Sequence, residues 1–330
     1  MSGILVIGEI SENAVSSSTF EVIAAARQLN GGLGEEVAVC LVGKDIKGLA
    51  KGLIECGADK VYLGEDEHLQ TFQQEAYLAA VEKVCKQVNP TIVLAPRTDI
   101  SSQIAPRLAF RLGVGLAQDC LALSVDPDSK NLKATRPVFG GNANAVITFD
   151  GSGPYFATLR TKVFEGLKQD TSRSGEIIEI DLSIDPSIMK TKLVETVREQ
   201  VEGIRLEAAP IVVAGGRGLG GPDPFKQLEE LANLLGGAMG ASRAACDAGW
   251  LDHSYQVGLT GKTVTPNLYL AVAISGASQH MAGCSASKNI VAINKDADAN
   301  IFKDARYGVT GDWKTVLPAF IETVKELINS

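Results

Sequence analysis

Between residues 239 and 296 the chain sets small and hydrogen-bonding residues around apolar runs, a pattern suited to wrapping a large phosphorylated cofactor. Four blocks carry it: Gly240-Ala241-Ser242-Arg243-Ala244-Ala245, Gln256-Val257-Gly258-Leu259-Thr260-Gly261-Lys262, Ile274-Ser275-Gly276-Ala277-Ser278-Gln279-His280 and Val291-Ala292-Ile293-Asn294-Lys295-Asp296. Arg243 is a solitary charge in a run too small and apolar to be an ordinary solvated face, so its guanidinium must find an anion or reach water. The block ending at His280 follows the apolar run 268–273, and its small residues allow a helix to begin close to a ligand. A helix start offers unpaired N–H groups and partial positive charge, both suited to a pyrophosphate. Ser275 would equally serve merely as the cap of that helix. Thr260 and Asn294 read equally as turn residues, Asp312 as the cap of the last helix, and His280 as a structural histidine beside Met281. His68 and His253 have no such context and are assigned no role.

Gly216-Arg217-Gly218-Leu219-Gly220-Gly221 satisfies G-x-G-x-x-G between a strand and a helical run, which taken alone suggests a nicotinamide dinucleotide. That fingerprint also needs an acid about 20 residues on, at the end of the next strand, to hold a ribose hydroxyl. The corresponding region is Gly240-Ala241-Ser242-Arg243, which has none. What survives is a tight strand-to-helix turn, or close backbone approach to a phosphate with Arg217 as its cation.

Alternating elements must position these residues. The β-branched runs 4–7, 37–42, 60–63 and 91–94 alternate with helical patterns at 20–29 and 72–88, as in a parallel sheet covered by helices. Residues 107–112 continue another helix, with several caps on offer at 99–102. From Leu121 strands are separated by turn residues: 134–138, then 143–148 after Gly140-Gly141-Asn142, then 155–160 after Gly151-Ser152-Gly153-Pro154, a meander appended to the first domain. Residues 193–210 are charged and weakly patterned, which puts a boundary near 205 and domains at 1–204 and 205–330. Strands are expected at 211–214, 268–274 and 290–293. The last helix lines up Trp313, Val316, Leu317, Phe320, Val324, Leu327 and Ile328 on one face, to lie on a sheet.

With 330 residues, 45% of them hydrophobic, two domains are the natural expectation. A net charge of -8 repels phosphate backbones and anionic lipid heads, which argues against nucleic-acid and membrane-surface binding. Six scattered cysteines without a C-x-x-C pair, and an apolar strand directly after Met1-Ser2-Gly3, point to reduced thiols, no metal site and a cytoplasmic protein. No run reaches the length of a membrane span. There is no Ser-His-Asp arrangement and no P-loop.

The four blocks, in this order and spacing and continuing to Tyr307-Gly308 and Gly311-Asp312, resemble the FAD-binding domain of electron-transfer flavoprotein alpha subunits. The resemblance extends forward through Arg97-Thr98, Ala105-Pro106-Arg107-Leu108-Ala109 and Arg136-Pro137-Val138-Phe139-Gly140-Gly141-Asn142-Ala143. It implies an α/β chain, with an N-terminal parallel-sheet, nucleotide-hydrolase-like domain and meander followed by a doubly wound FAD-binding domain. It implies an FAD site made of Arg217, Ser242, Arg243, Val257, Gly258, Leu259, Thr260, Ser275, Gly276, Ala277, Ser278, Gln279, His280, Asn294, Asp312 and Trp313. Within that site it assigns Arg243 to the flavin edge, Thr260 to N5, His280 to the pyrimidine end, and Asn294 and Asp312 to the adenosine half. Leu259 stands where the family commonly has Gln, and Ala273 where it commonly has Gly. A beta subunit carrying AMP or a second FAD is the implied partner. Electrons would pass from flavin dehydrogenases, such as acyl-CoA dehydrogenases of fatty acid β-oxidation, to an acceptor such as a membrane quinone reductase. The alternatives are an electron-bifurcating complex using NADH and ferredoxin, an NAD-dependent dehydrogenase and a nucleotide-binding regulatory module.

Overall fold

The computed structural model describes residues 3–141, 143–151, 153–195 and 204–329. Contacts divide the chain into two compact units, 1–196 and 197–330. From Thr196 onward the charged segment around 195–200 lies outside the described residues, as do Asn142 and Ser152 of the expected turns.

The first unit runs β1 (Ile4–Ile7), a small hairpin of β2 (Ile10–Ser11) and β3 (Ala14–Val15), α1 (Ser17–Asn30), β4 (Val37–Gly43), α2 (Ala50–Glu55), β5 (Lys60–Glu65), α3 (Gln74–Val88), β6 (Ile92–Pro96) and α4 (Asp99–Leu112). It continues with β7 (Leu116–Cys120), β8 (Ala122–Val125), β9 (Leu132–Val138), β10 (Ala143–Thr148), β11 (Tyr155–Leu159) and β12 (Glu176–Asp181). Among the described residues one parallel sheet has the order β12-β5-β4-β1-β6-β11-β7. The apolar runs of β1, β4 and β6 are buried throughout, because α1 packs with one apolar cluster and α3 and α4 with another.

Three local expectations are corrected. The cap of α4 is Thr98, before the stretch 99–102: its Oγ1 accepts from the Ser101 N–H, and Ser101 Oγ accepts from the Thr98 N–H. The antiparallel meander is β8-β9-β10, and β11 instead returns to the main sheet between β6 and β7. All five residues of β11 are buried, which marks a central parallel strand and not an appended one. β7 and β12 escaped the pattern because polar residues interrupt them. Asp119 in β7 has φ 62° beside a register shift against β11, and its carboxylate takes a two-pronged pair from Arg160 at 2.9 and 2.6 Å.

The second unit runs β13 (Ile211–Gly215), α5 (Phe225–Leu234), β14 (Ala238–Ser242), α6 (Arg243–Cys246), β15 (Gln256–Val257), β16 (Leu268–Val272), α7 (Ser278–Met281), β17 (Ile290–Asn294), α8 (Ile301–Asp304), β18 (Tyr307–Thr310) and α9 (Trp313–Asn329). Its parallel sheet has the order β15-β14-β13-β16-β17-β18. Alternation along β13 sends Val212 and Ala214 into a cluster with Tyr269, Met281 and Ile301, and Val213 into one with Phe225, Leu228, Leu317 and Ile321. On α9 the inward face is Leu317 and Ile321 with Trp313, Val316, Phe320 and Val324 beside them. Leu327 and Ile328, expected on the same face, are exposed because the helix extends past the apolar cluster.

Candidate functional site

Sheet order reverses between β13 and β16, so the loops leaving their carboxyl ends diverge and open a crevice, the place where doubly wound sheets take ligands. A cleft of about 780 Å³ lies there, within the size usual for a cofactor site. The loop after β13 supplies Gly216, Arg217 and Gly218; the end of β14 and α6 supply Ser242, Arg243, Ala244 and Asp247. Residues 256–260, 273–275, Ala277, Gln279, His280, Asn294, Asp296 and Ala299 complete the wall. Four blocks spread over nearly 60 residues therefore meet in one cavity.

Of the sequence-selected residues, Gly276 and Ser278 do not line this cleft. Asp312 and Trp313 line a second cleft of about 180 Å³, which shares Gly218, Ala273 and Asn294 with the first. The expected helix at 275 is shorter than the small-residue pattern suggests: α7 spans only Ser278–Met281 and begins after Ala277, so Ser275 is not its cap. Asn294 and Asp312 both perform the local roles open to them. Asn294 Nδ2 donates to the Ile274 carbonyl at 2.9 Å while its Oδ1 accepts from the Asp296 N–H at 3.0 Å. Asp312 Oδ1 accepts from the Lys314 N–H at 3.0 Å at the start of α9.

Arg243 satisfies both alternatives left to it. Its side chain is 65% exposed, and Nε donates to Asp247 Oδ2 at 3.2 Å across one helical turn. Asp247, four residues on from Arg243, went unselected although that spacing is the signal for such a pair. Thr260 Oγ1 accepts from Gln256 Nε2 at 3.0 Å, and Gln256 Oε1 meets His253 Nδ1 at 2.9 Å. Gln256, buried at the base of this relay, was missed because a glutamine beside an apolar residue carries no pattern of its own.

Ser242 Oγ, a buried polar atom of a wall residue, has no hydrogen-bond partner among the described residues. Unpaired buried donors and acceptors are costly, so their presence in a cleft wall favours a polar ligand. Burial holds the His280 imidazole down to a pKa of about 4, so the ring is neutral at pH 7. The histidine therefore adds no charge to the wall at pH 7, while the exposed Arg217 and Arg243 supply the cations for an anionic ligand.

Ala273, directly after β16, has φ 55°, a region that disfavours a β-carbon. Ala273→Gly should therefore stabilise the second unit by about 0.5–1 kcal/mol. A urea titration followed by Trp fluorescence reads this, both tryptophans, Trp250 and Trp313, lying in this unit. An unchanged or lowered midpoint at constant slope would show that the methyl contributes packing worth more than the strain.

A doubly wound unit with a cofactor-sized crevice at its switch point, in a chain that also holds a separate parallel-sheet unit, defines a class of cofactor-binding protein, and comparison with known proteins identifies the family. The electron transfer flavoprotein domain matches residues 4–185, and the electron transfer flavoprotein FAD-binding domain matches residues 205–285. The chain is 44% identical over 326 residues to the electron transfer flavoprotein subunit alpha of Megasphaera elsdenii, covering 98% of this chain and 96% of the relative. It is 44% identical over 325 residues to the subunit of the same name from Bacillus subtilis, covering 98% of each. It is also 34% identical over 357 residues to the acryloyl-CoA reductase electron transfer subunit beta of Anaerotignum propionicum, covering 99% of this chain and 96% of the relative. The chain belongs to the electron transfer flavoprotein alpha-subunit family, and its second unit is of the type that holds a flavin.

Proposed function

We propose that the switch-point cleft of the second unit binds FAD and that the chain, paired with a beta subunit carrying AMP or a second FAD, carries electrons in the cytoplasm. Flavin dehydrogenases, acyl-CoA dehydrogenases among them, are the donors in this reading, and a membrane quinone reductase or similar protein is the acceptor. The observation that carries it is the meeting of Arg243, Thr260, Ser275 and His280 in one cleft of cofactor size. Bound there, the flavin supplies the redox chemistry; the protein supplies binding, orientation and electrostatic tuning. Arg243, Ser242 and Thr260 would hold the ring, His280 its pyrimidine end, and Arg217, Ser275, Ala277 and Gln279 the phosphate-bearing chain. Val257, Gly258 and Leu259 would form the wall, with Asn294, Asp312 and Trp313 toward the adenosine half. Among the described residues no helix is long and apolar enough to cross a membrane.

The test is the absorbance of the chain purified with its partner, with the released flavin quantified and identified. Absence of FAD from that preparation, or micromolar NAD bound by this chain alone, would put the dehydrogenase reading first. Arg243→Ala sharpens the assignment. A unit charge about 4 Å from developing negative charge is worth at most about 4 kcal/mol at an effective dielectric of about 20. Exposure and the Asp247 carboxylate reduce that. The first reduction potential should fall by about 50–150 mV, toward the lower end, with about 59 mV per tenfold for one electron. Arg243→Lys should lose less, since it keeps the charge and gives up only the planar fork. Anaerobic redox titration reads the shift, and an Ala variant with full flavin content and an unchanged potential would remove Arg243 from the flavin edge.

A further inference from the structure

Arg243 and Asp247 both line the cleft and meet there through a single nitrogen. Nε donates to Asp247 Oδ2 at 3.2 Å, and neither terminal nitrogen of the guanidinium has a hydrogen-bond partner among the described residues. Arg160 of the first unit is the contrast, since it commits both Nε and Nη2 to Asp119, at 2.9 and 2.6 Å. A guanidinium gripped by Nε alone keeps its terminal fork for another acceptor. Asp247 is the fixed member of the pair. As the C-cap of α6 its N–H donates to the Arg243 carbonyl at 2.8 Å, and the turn beyond it is closed by Gly249 N–H on the Cys246 carbonyl at 2.8 Å and Trp250 N–H on the Ala245 carbonyl at 3.2 Å. Trp250 packs against Phe225, ring centroids 6.4 Å apart, which anchors that turn to the core of the unit. The carboxylate has no competing hydrogen bond among the described residues, for its other oxygen faces His253 Nε2 at 4.0 Å, beyond hydrogen-bonding reach. Arg243, by contrast, has a long flexible stem and is 65% exposed. A short side chain on a fixed turn thus selects among the rotamers of a long one.

We propose that Asp247 is a positioning residue for Arg243: it holds Nε so that the terminal fork is presented to the bound flavin, and this grip outweighs the opposing effect of its own negative charge. The inference rests on the flavin reading of the cleft. Two effects of the carboxylate compete. Its charge weakens the field of the guanidinium at the ring, while its grip keeps the guanidinium where negative charge develops on reduction. Ordering the arginine before the ligand arrives also removes that cost from binding. The two effects differ in sign. Removing a mere counter-charge raises the reduction potential, whereas removing the grip lowers it.

Anaerobic redox titration of the purified flavoprotein, at one pH and full flavin content, compares wild type with Asp247→Asn and Asp247→Ala. The asparagine removes the charge and keeps an acceptor oxygen for Nε; the alanine removes both. The reduced-over-oxidised flavin affinity ratio should fall about fivefold in Asp247→Ala, about 20 mV for the two-electron couple, and stand at or above wild type in Asp247→Asn. In an Arg243→Ala background, Asp247→Ala should no longer lower the ratio. A ratio in Asp247→Ala equal to or above that of wild type overturns the proposal, as does a fall that persists without Arg243. Arginine 15N labelling reads the grip without the flavin. The Arg243 Nε–H signal, assigned by its loss in Arg243→Ala, should be protected from solvent exchange in the cofactor-free chain and lose that protection in Asp247→Ala. Protection indifferent to Asp247→Ala overturns the proposal as well. A preparation that contains no flavin contradicts the underlying cleft assignment instead, and the Nε–H signal keeps the two failures apart.

Discussion

Gly216→Ala should cost the chain about a hundredfold in flavin affinity, although glycine and alanine differ by one methyl group. A β-carbon at Gly216 would lie 2.1 Å from the Ala273 carbonyl oxygen and 2.9 Å from the Ile274 Cα, so the loops after β13 and β16 would have to part. Both partners are backbone, which cannot rotate away. Such overpacking costs about 1–3 kcal/mol, and every 1.4 kcal/mol of misplaced site is about tenfold in binding. The other glycines of the same run provide the controls. Gly220 has φ 86° and open space around it, so Gly220→Ala should cost about 1 kcal/mol of stability from backbone strain. Gly221 has neither positive φ nor a neighbour within 4 Å, and Gly221→Ala should be silent. Titration of the flavin-stripped variants with FAD, followed by flavin fluorescence, gives the three affinities. Equal affinities across the series would mean that the loops do not bear on the site.

The same distances show why the glycine run was misleading as a string of letters. G-x-G-x-x-G suggests backbone approaching a pyrophosphate, yet Gly216 and Gly218 face the Ala273 backbone and side chain. Their spacing reports loop-on-loop packing at the reversal of the sheet. Much else was legible because it depends on local pattern: buried runs such as Val37–Gly43 and Ile92–Pro96 are strands, and the four small-residue blocks mark loops at strand ends. What stayed hidden depends on pairing across sequence distance. The return of Tyr155–Leu159 to the main sheet is set by register with Ile92–Pro96, and the placement of Gln256 behind Thr260 is set by a side-chain contact. Tyr269 looked like one more apolar strand residue, since nothing in its neighbours announces a hydroxyl bonded to a histidine eleven positions on.

Glu9→Gln should make the first unit more stable at pH 8 by up to about 3 kcal/mol and leave it nearly unchanged at pH 5. The sheet of that unit also reverses, between β1 and β6, and the carboxyl group following β1 sits across that crevice: Thr98 Oγ1, following β6, donates to Glu9 Oε1 at 2.6 Å. The cavity left beside it is about 20 Å³, room for about one water. Burial raises the Glu9 pKa from 4.5 to about 7, with Asp99 adding to the rise and the Thr98 and Ser101 hydrogen bonds opposing it. A folded-state pKa above the unfolded value means that the folded chain binds the extra proton. The contribution is fully present below about pH 4.5 and is lost as pH rises through about 7, and a shift of this size corresponds to about 3 kcal/mol. The amide cannot ionise, and its oxygen can still accept from Thr98, so the variant avoids the loss. His280 works in the opposite direction: its depressed pKa preserves stability above about 6.5 and loses it as pH falls toward about 4. Because His280 belongs to the other unit and is the same in both chains, subtracting the variant's pH profile from the wild-type profile removes it. Urea denaturation at half-unit steps from pH 5 to 8, read by a probe in the first unit, measures the difference. Parallel profiles across that range would show that Glu9 is ionised in the folded protein and that Thr98 and the adjoining N–H groups stabilise its charge more than burial opposes it.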